Sequence, residues 1–575
     1  MTDMTPRFYS NGEQTRSLVK YSASSFCAVA EGAQSVGLTL LSENVRVYEN
    51  AFHGDTAVFP DLEAGVYGFV LSADGKVLMH DRIVYYEERY KLIEPPSGII
   101  YHIFVDRFAK GGDVPVREDA VMNDDWYGGI PQYAEYPGQP VENNMFFGGT
   151  LYGVAQKLPY LRSLGCEWLY LSPIFTAYSN HKYDTADFLS VDEMFGGEDA
   201  LKALIAECHK NGVKLILDGV FNHVGDRSVY FDRFGKYGGA YVNENSPYRE
   251  WFDIRHDGSY DCWWGLENVP KIRKVRSYRD FICKTVIPRY MRMGVDGWRL
   301  DVVDEYSNDF LEEITAAAKR ENPDAVIIGE VWEDVTDKVA YSERKKYFCG
   351  AWLDSAMNYP VRGAILDYFK NHDASLLKST LETQLAHYPR RSLLCLMNML
   401  GTHDTERVLT VLGGGSSEGK SGTQLAHERL APETRSYALK LLKAAFWLLF
   451  CLPGVPAVYY GDEAGLEGGR DPFDRLPFPW GREDEGLLQT VRAASALRRE
   501  HECLYKGDTE ITQCNDGFIV IKRETENERV VCICNMSRGY DYKVYTRFIP
   551  LNGASHVLMP GETGVYKEEI CSNKE

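Results

Sequence analysis

From about residue 99 to residue 490 the chain repeats one pattern. A short, almost wholly apolar run is followed by a longer stretch with apolar positions three and four apart. The runs suit strands buried on both faces, and the longer stretches suit helices that cover them. The runs are Ile99–Phe104, Trp168–Leu171, Val213–Leu217, Gly294–Asp301, Ala325–Ile328, a segment near Leu353–Met357, Leu393–Met399 and Pro456–Tyr460. Helices are predicted between them, at Leu151–Leu164, about Glu198–Lys210, Phe281–Met293, Asp309–Arg320 and Thr434–Phe450. Eight such units predict an α/β fold, a closed (β/α)8 TIM barrel over residues 96–490. The alternation breaks at about 225–276, which is rich in Gly, Tyr, Asp and Trp and is predicted to be a subdomain inserted after the third strand. Outside the barrel the period drops to two, as in Ser35–Leu40, Gly65–Leu71, Phe518–Ile521 and Arg529–Cys534. Flanking β-sandwich domains are therefore expected, N-terminal over 1–95 and C-terminal over 491–575.

Composition narrows the partners. A net charge of −20 argues against nucleic acid or an anionic membrane, both of which need a basic surface. The longest apolar helical stretch stops at Pro453-Gly454 and is too short to span a bilayer. Thirteen scattered cysteines, without metal-type pairs and with no secretory signal in the N-terminal stretch, point to reduced thiols and a cytoplasmic setting. Tyrosine and tryptophan are plentiful, and their faces stack on sugar rings as readily as they fill cores.

The candidate chemistry lies where strands give way to loops, the side on which barrels of this kind carry their sites. The third strand runs into Asp218–His223, the fourth ends in Arg299 and Asp301, the fifth leads to Glu330 and Trp332, and the seventh to His403 and Asp404. On an extended strand Gly297, Arg299 and Asp301 share one face, with Trp298 and Leu300 on the other. Arg299 is expected to lower the pKa of Asp301 and hold it ionised, as a nucleophile requires. Glu330, between Gly329 and Trp332 after an apolar strand, is expected to be desolvated and raised, as a general acid requires. Asp404 would bind ring hydroxyls and stabilise positive charge. That division of labour belongs to a retaining glycosidase, although the carboxylate separation that distinguishes retention from inversion is not legible in the residues.

The ordered motifs DGVFNH (Asp218–His223), GWRLD (Gly297–Asp301), GEVW (Gly329–Trp332) and THD (Thr402–Asp404) resemble the α-amylase family, glycoside hydrolase family 13, from about Ile99 to Trp480. The resemblance implies Asp301 as nucleophile, Glu330 as acid/base and Asp404 as transition-state stabiliser. It also implies sugar contacts for His181, Tyr183 (the stacking platform), His223, Arg299 and His403. The runs Tyr101–Phe108, Phe146–Gly149 and Gly468–Pro472, with the N-terminal β-domain, resemble the neopullulanase, cyclomaltodextrinase and maltogenic amylase branch. In that light Asp471 and Arg475 become candidates for an outer subsite and Trp332 for a leaving-group platform. Cleavage of α-1,4 bonds in maltooligosaccharides, cyclodextrins, pullulan or starch fragments is the implied activity, with α-1,6 cleavage and sugar transfer as further options. The branch also carries homodimers built through the N-terminal domain.

Two departures bear on metal. Relatives commonly end a Met-Pro-Lys-Leu-Asn-like segment in Asn, where this chain has Val269–Arg273. The loop Ala109–Val114, in the place of an Asn- and Asp-rich calcium loop, contains a lysine. No metal ligand and no required cofactor are expected, and calcium at that loop is unsupported. Asn222, which approaches calcium in many relatives, would then only brace the site. Two rival functions remain. A non-catalytic glucan-binding relative would have no use for the carboxylate set. A phosphate-loop pattern at Gly414–Ser421 would imply nucleotide binding if a helix opened at Lys420, whereas Ser421–Thr423 reads as continued surface loop.

Overall fold

The computed structural model describes residues 5–515 and 517–568. Its centre is a closed barrel of eight parallel strands in sequential order. They are β1 (Ile99–Ile103), β2 (Cys166–Leu171), β3 (Lys214–Gly219), β4 (Gly297–Leu300), β5 (Val326–Val331), β6 (Ser355–Asn358), β7 (Met397–Met399) and β8 (Val455–Tyr459). Period-two alternation sorts each strand's side chains into two cores. Ile100, Trp168, Tyr170, Ile216, Ile328, Met357, Met397 and Val455 fill the barrel interior, while Leu169, Leu215, Trp298, Leu300 and Ile327 pack outward under the helices. The register sets Asp218 opposite Arg299 and Gly297 opposite Val326. A Cβ on Gly297 would lie 2.3 Å from the Val326 carbonyl oxygen, so only glycine lets β4 and β5 approach there.

Several helices differ from the periodic reading. Residues 151–164 form two short helices, Leu151–Gln156 and Leu158–Ser163, with Pro159 in the first turn of the second. Proline has no N–H to continue a preceding helix, which explains the break. The 281–293 stretch passes through a π-helical segment, Ile282–Val286, before Pro288. Leu393–Cys395, expected as strand, end a helix spanning Arg390–Cys395, and only Met397–Met399 extend into the barrel. A short run of leucines is apolar at either period, so the pattern did not discriminate.

Before the barrel, a five-stranded sheet packs on a four-stranded one around Phe8, Phe26, Phe59 and Phe69. Salt bridges join this unit to the barrel, Asp81 to His387 at 2.8 Å and Arg82 to Asp334. After the barrel, a five-stranded antiparallel sheet lies against the helix Pro432–Cys451, where Thr563 donates to the Ala444 carbonyl at 3.0 Å. The second layer expected of a sandwich is reduced there to one two-stranded pair, Tyr542–Lys543 with Val557–Leu558. The segment between β3 and β4 has no regular strand and is tied together by isolated bridges such as His223–Lys271. No described helix is long and apolar enough to cross a membrane.

The phosphate-loop pattern does not gain the geometry it needs. Gly414–Ser421 follows the helix Val408–Leu412 rather than a strand, and Lys420 is engaged by Glu428. The expected loop at Ser421–Thr423 instead opens the helix Gly422–His427, with Ser421 and Gln424 in a capping box.

Candidate active site

Arg299 is fully buried near the end of β4, at the centre of the strand-end cluster. Its Nη1 donates to both oxygens of Asp218 at 3.0 Å and to Asp301 Oδ1 at 2.8 Å. Its Nη2 lies 2.9 Å from Glu330 Oε2. One guanidinium thus stands among three carboxylates that are all nearly inaccessible to solvent. This corrects the sequence-based expectation for Asp301. Burial pushes its carboxyl well above the usual carboxylate range, against the pull of Arg299, and Glu330 and Asp218 add to the rise. Asp218 moves upward for the same leading reason, burial. One guanidinium faces three carboxyl groups, so Asp301 and Asp218 are coupled through a shared partner and compete for its charge.

Glu330 is the penultimate residue of β5 and is held at both oxygens. The Val302 backbone N–H donates to Oε2 at 2.8 Å and the Trp332 indole N–H to Oε1 at 2.9 Å. Val302 has φ of 38°, unusual for a β-branched residue, and this left-handed turn after Asp301 aims its N–H at Glu330. Trp332 stacks on Tyr359 with ring centroids 3.7 Å apart and remains 46% exposed, so one indole face is open to the mouth.

Tyr183 and His403 form the opposite wall, stacked at 5.1 Å with an interplanar angle of 3°. The Tyr183 hydroxyl donates to Asp218 Oδ2 at 2.9 Å and also meets His403 Nε2. Since the single phenolic proton goes to Asp218, His403 is assigned the Nε2–H tautomer. Burial, then Arg475 and Arg299, hold its pKa well below the ordinary value, so it is neutral. His181 is depressed likewise, by burial first, and its Nδ1 accepts the Tyr183 backbone N–H at 3.1 Å. Asp404 lies nearer solvent, with Oδ2 3.1 Å from His403 Nε2 and Oδ1 3.3 Å from Arg475 Nη2. Arg475 also pairs with Asp471 at 2.9 Å. All eleven sequence-derived candidates are therefore placed: Asp301, Glu330, Arg299, Tyr183 and His403 around the central cluster, and Asp404, Asp471 and Arg475 as an outer group beside it. His181 and His223 lie behind Tyr183, and Trp332 lies at the rim beyond Glu330.

Sequence reasoning missed Tyr170 and Tyr359. The Tyr170 hydroxyl donates to Asp218 at 2.6 Å, and its ring stacks on His102 at 4.2 Å. Its shared parity with the inward-facing Trp168 was the available signal. Tyr359 opens the helix after β6 and carried no strand-end signature.

His223 is buried, and its pKa falls from the ordinary 6.5 to about 4, chiefly through burial and then through Lys274. The unfolded chain takes up this proton first as pH falls. The stability contribution is thus intact above about 6.5 and is lost progressively toward 4, on the order of 3 kcal/mol in all. Thermal melts between pH 7 and pH 4.5 are expected to show Tm falling with pH, with a shallower slope in His223→Gln.

Residues 102–491 match the family model described as alpha amylase, catalytic domain. The chain belongs to the α-amylase family. Among relatives, it is 36% identical over 488 residues to an amylopullulanase of Thermoanaerobacter thermohydrosulfuricus, covering 75% of this chain and 32% of that protein. The chain spans only a quarter to about a third of the length of the amylopullulanases it matches. A cyclomaltodextrinase of Geobacillus thermopakistaniensis (strain MAS1) is 32% identical over 505 residues, covering 82% of this chain and 77% of that one. Among solved structures, the ligand-free cyclic α-maltosyl-(1→6)-maltose hydrolase from Arthrobacter globiformis superposes with a TM-score of 0.68 at 29% identity, over 82% of this chain and 99% of that one. The barrel is thus an α-amylase family barrel, and its four motif segments supply the cluster just described.

Proposed function

We propose that this α-amylase family chain hydrolyses α-1,4-glucosidic bonds of soluble glucans with retention of configuration. The observation that carries the reading is the Arg299 cluster, in which one guanidinium bridges Asp301 and Glu330. That proximity favours the close carboxylate spacing, about 5 Å, of a retaining pair. In the first half-reaction the Asp301 carboxylate attacks C1 of a glucosyl unit stacked on Tyr183. The bond from C1 to the glycosidic oxygen breaks, and the Glu330 carboxyl gives its proton to that oxygen. In the second, Glu330 removes a proton from water, the oxygen attacks C1, and the bond to Asp301 breaks. Asp404 and His403 hold ring hydroxyls as positive charge develops.

The outer group, Asp471 with Arg475, would bind a further sugar on the glycon side, and the open face of Trp332 would carry the leaving sugar. Relatives named for cyclic maltodextrins and for cyclic maltosyl-maltose support short and cyclic glucans as substrates. A cytoplasmic setting is supported by the unpaired cysteines among the described residues. Product analysis on maltotriose, cyclodextrin and pullulan tests the reading, with NMR of the first-formed anomer. Net release of α-anomeric reducing ends is expected, while β-anomers would remove the covalent step. Trp332→Ala is expected to raise KM for maltotriose severalfold more than for an aryl maltoside with a small leaving group, measured by steady-state kinetics.

A further inference from the structure

The end of β3 contains a cation that the chain supplies itself. Asn222 is fully buried, and its Oδ1 accepts a hydrogen bond from Lys274 Nζ at 2.5 Å. An ammonium only donates, so Oδ1 must face it and the amide cannot flip. The Asn222 Nδ2 is thereby directed toward His223 Nδ1, 3.5 Å away. With Nδ1 as the acceptor, the imidazole carries its proton on Nε2, which meets the Tyr183 carbonyl oxygen at 3.1 Å. One charged group therefore fixes an amide orientation, a tautomer and a ring plane in succession, ending at the backbone of the proposed sugar platform. The neighbouring Lys271 cannot substitute, since its ammonium is paired with Glu305 at 2.7 Å. The backbone keeps Lys274 in place: Ile272 N–H donates to the Asn222 carbonyl at 3.0 Å, and Val224 N–H to the Pro270 carbonyl at 3.2 Å.

Calcium does not fit these residues. It needs six to eight oxygens, and the Asn222 oxygen that would approach it is already taken by Nζ. The loop after β1 offers no alternative. There the Ala109 carbonyl accepts from Thr150 N–H at 3.0 Å, the Gly111 carbonyl accepts from the Thr150 hydroxyl at 2.6 Å, and the Lys110 ammonium lies over Trp126.

We propose that Lys274 is a positioning residue for His223, its ammonium holding Asn222 where a divalent ion would otherwise be needed. The kinetic consequence rests on the proposed glucan-hydrolase reading; the positional one does not. Burial and Lys271 push the Lys274 ammonium down to about 7, so measurements belong at pH 6, where it is charged.

The experiment compares wild type, Lys274→Met and Lys274→Arg, each with excess EDTA and with added calcium chloride. It reads Tm, maltotriose kinetics and the imidazole nitrogen signals of ¹⁵N-histidine-labelled protein. Wild-type Tm and kcat are expected to be unchanged by EDTA. Lys274→Met is expected to lower kcat about tenfold with little change in KM and to shift the His223 Nδ1 signal, and Lys274→Arg to restore part of both. An EDTA-sensitive wild-type Tm would overturn the proposal, as would a Lys274→Met protein with the wild-type imidazole spectrum. If the wild type cleaves no glucan, the functional reading fails by itself, and the Tm and imidazole measurements still decide the role of Lys274.

Discussion

Asp301→Asn is expected to lower kcat on maltooligosaccharides by on the order of 10⁴-fold while leaving the melting temperature equal to or above that of the wild type. The loss follows from replacing the attacking carboxylate with an amide that cannot form the glycosyl ester. The retained stability follows from the Arg299 cluster. Three buried carboxylates share one guanidinium, with contacts of 2.8 to 3.0 Å, so removing one negative charge relieves repulsion and leaves Asp218 and Glu330 paired. Asp301→Gly adds a test of the covalent step. With the carboxylate gone, azide can enter from the same face of the sugar, giving a glycosyl azide of inverted configuration and recovered turnover. Stopped assays, calorimetry and NMR of the azide product check the three expectations. Wild-type activity in Asp301→Asn would exclude Asp301 as nucleophile.

The barrel was legible in the sequence because buried strands have a short, nearly continuous apolar signature, and because the motif residues fall where those strands stop. The alternation along β4 gave the orientation of Arg299 correctly, and Trp298 and Leu300 do lie in the outer core. What the linear pattern could not provide was the number of charges sharing a partner. Read along β4 alone, Arg299 belongs to Asp301. In three dimensions the barrel buries Asp301, β3 brings Asp218 directly opposite Arg299, and β5 brings Glu330 to the same guanidinium. Burial first, then Glu330 and Asp218, move the pKa of Asp301 up where an exposed lone pair would have moved it down. Burial inside a closed barrel and contacts across strands both depend on assembly and register, which no single strand encodes.

The same limit explains the helical differences. Pro159 was visible, but the break it causes depends on which turn it occupies. Leu393–Cys395 satisfy strand and helix equally, and only the length left for β7 after the helix Arg390–Cys395 settles the boundary. Lys274 was invisible for another reason. Its sequence neighbours show only a departure from the Asn-ending segment of relatives, and its partner Asn222 lies 52 residues away.

Glu330→Gln is expected to separate leaving-group protonation from nucleophilic attack. General acid catalysis contributes about 10²- to 10⁴-fold, so kcat on maltotriose should fall by about 10³-fold. On α-maltosyl fluoride, whose leaving group needs no proton, the fall should be tenfold or less. Asp301→Asn should fail on both substrates, and this contrast assigns the two roles independently of family membership. The two variants should also differ in stability. Both Glu330 oxygens accept hydrogen bonds, from Val302 N–H at 2.8 Å and from the Trp332 indole N–H at 2.9 Å. A glutamine has one oxygen, so its NH₂ must face one of these donors. Losing one buried hydrogen bond and creating that opposition costs about 1–3 kcal/mol. Glu330→Gln should therefore melt below the wild type where Asp301→Asn does not. Pairing Glu330→Gln with Trp332→Phe removes the indole donor and should recover part of the Tm without recovering kcat on maltotriose. Recovery of both would mean that Glu330 acts by holding Trp332 in place, and the proton would have to come from another member of the cluster.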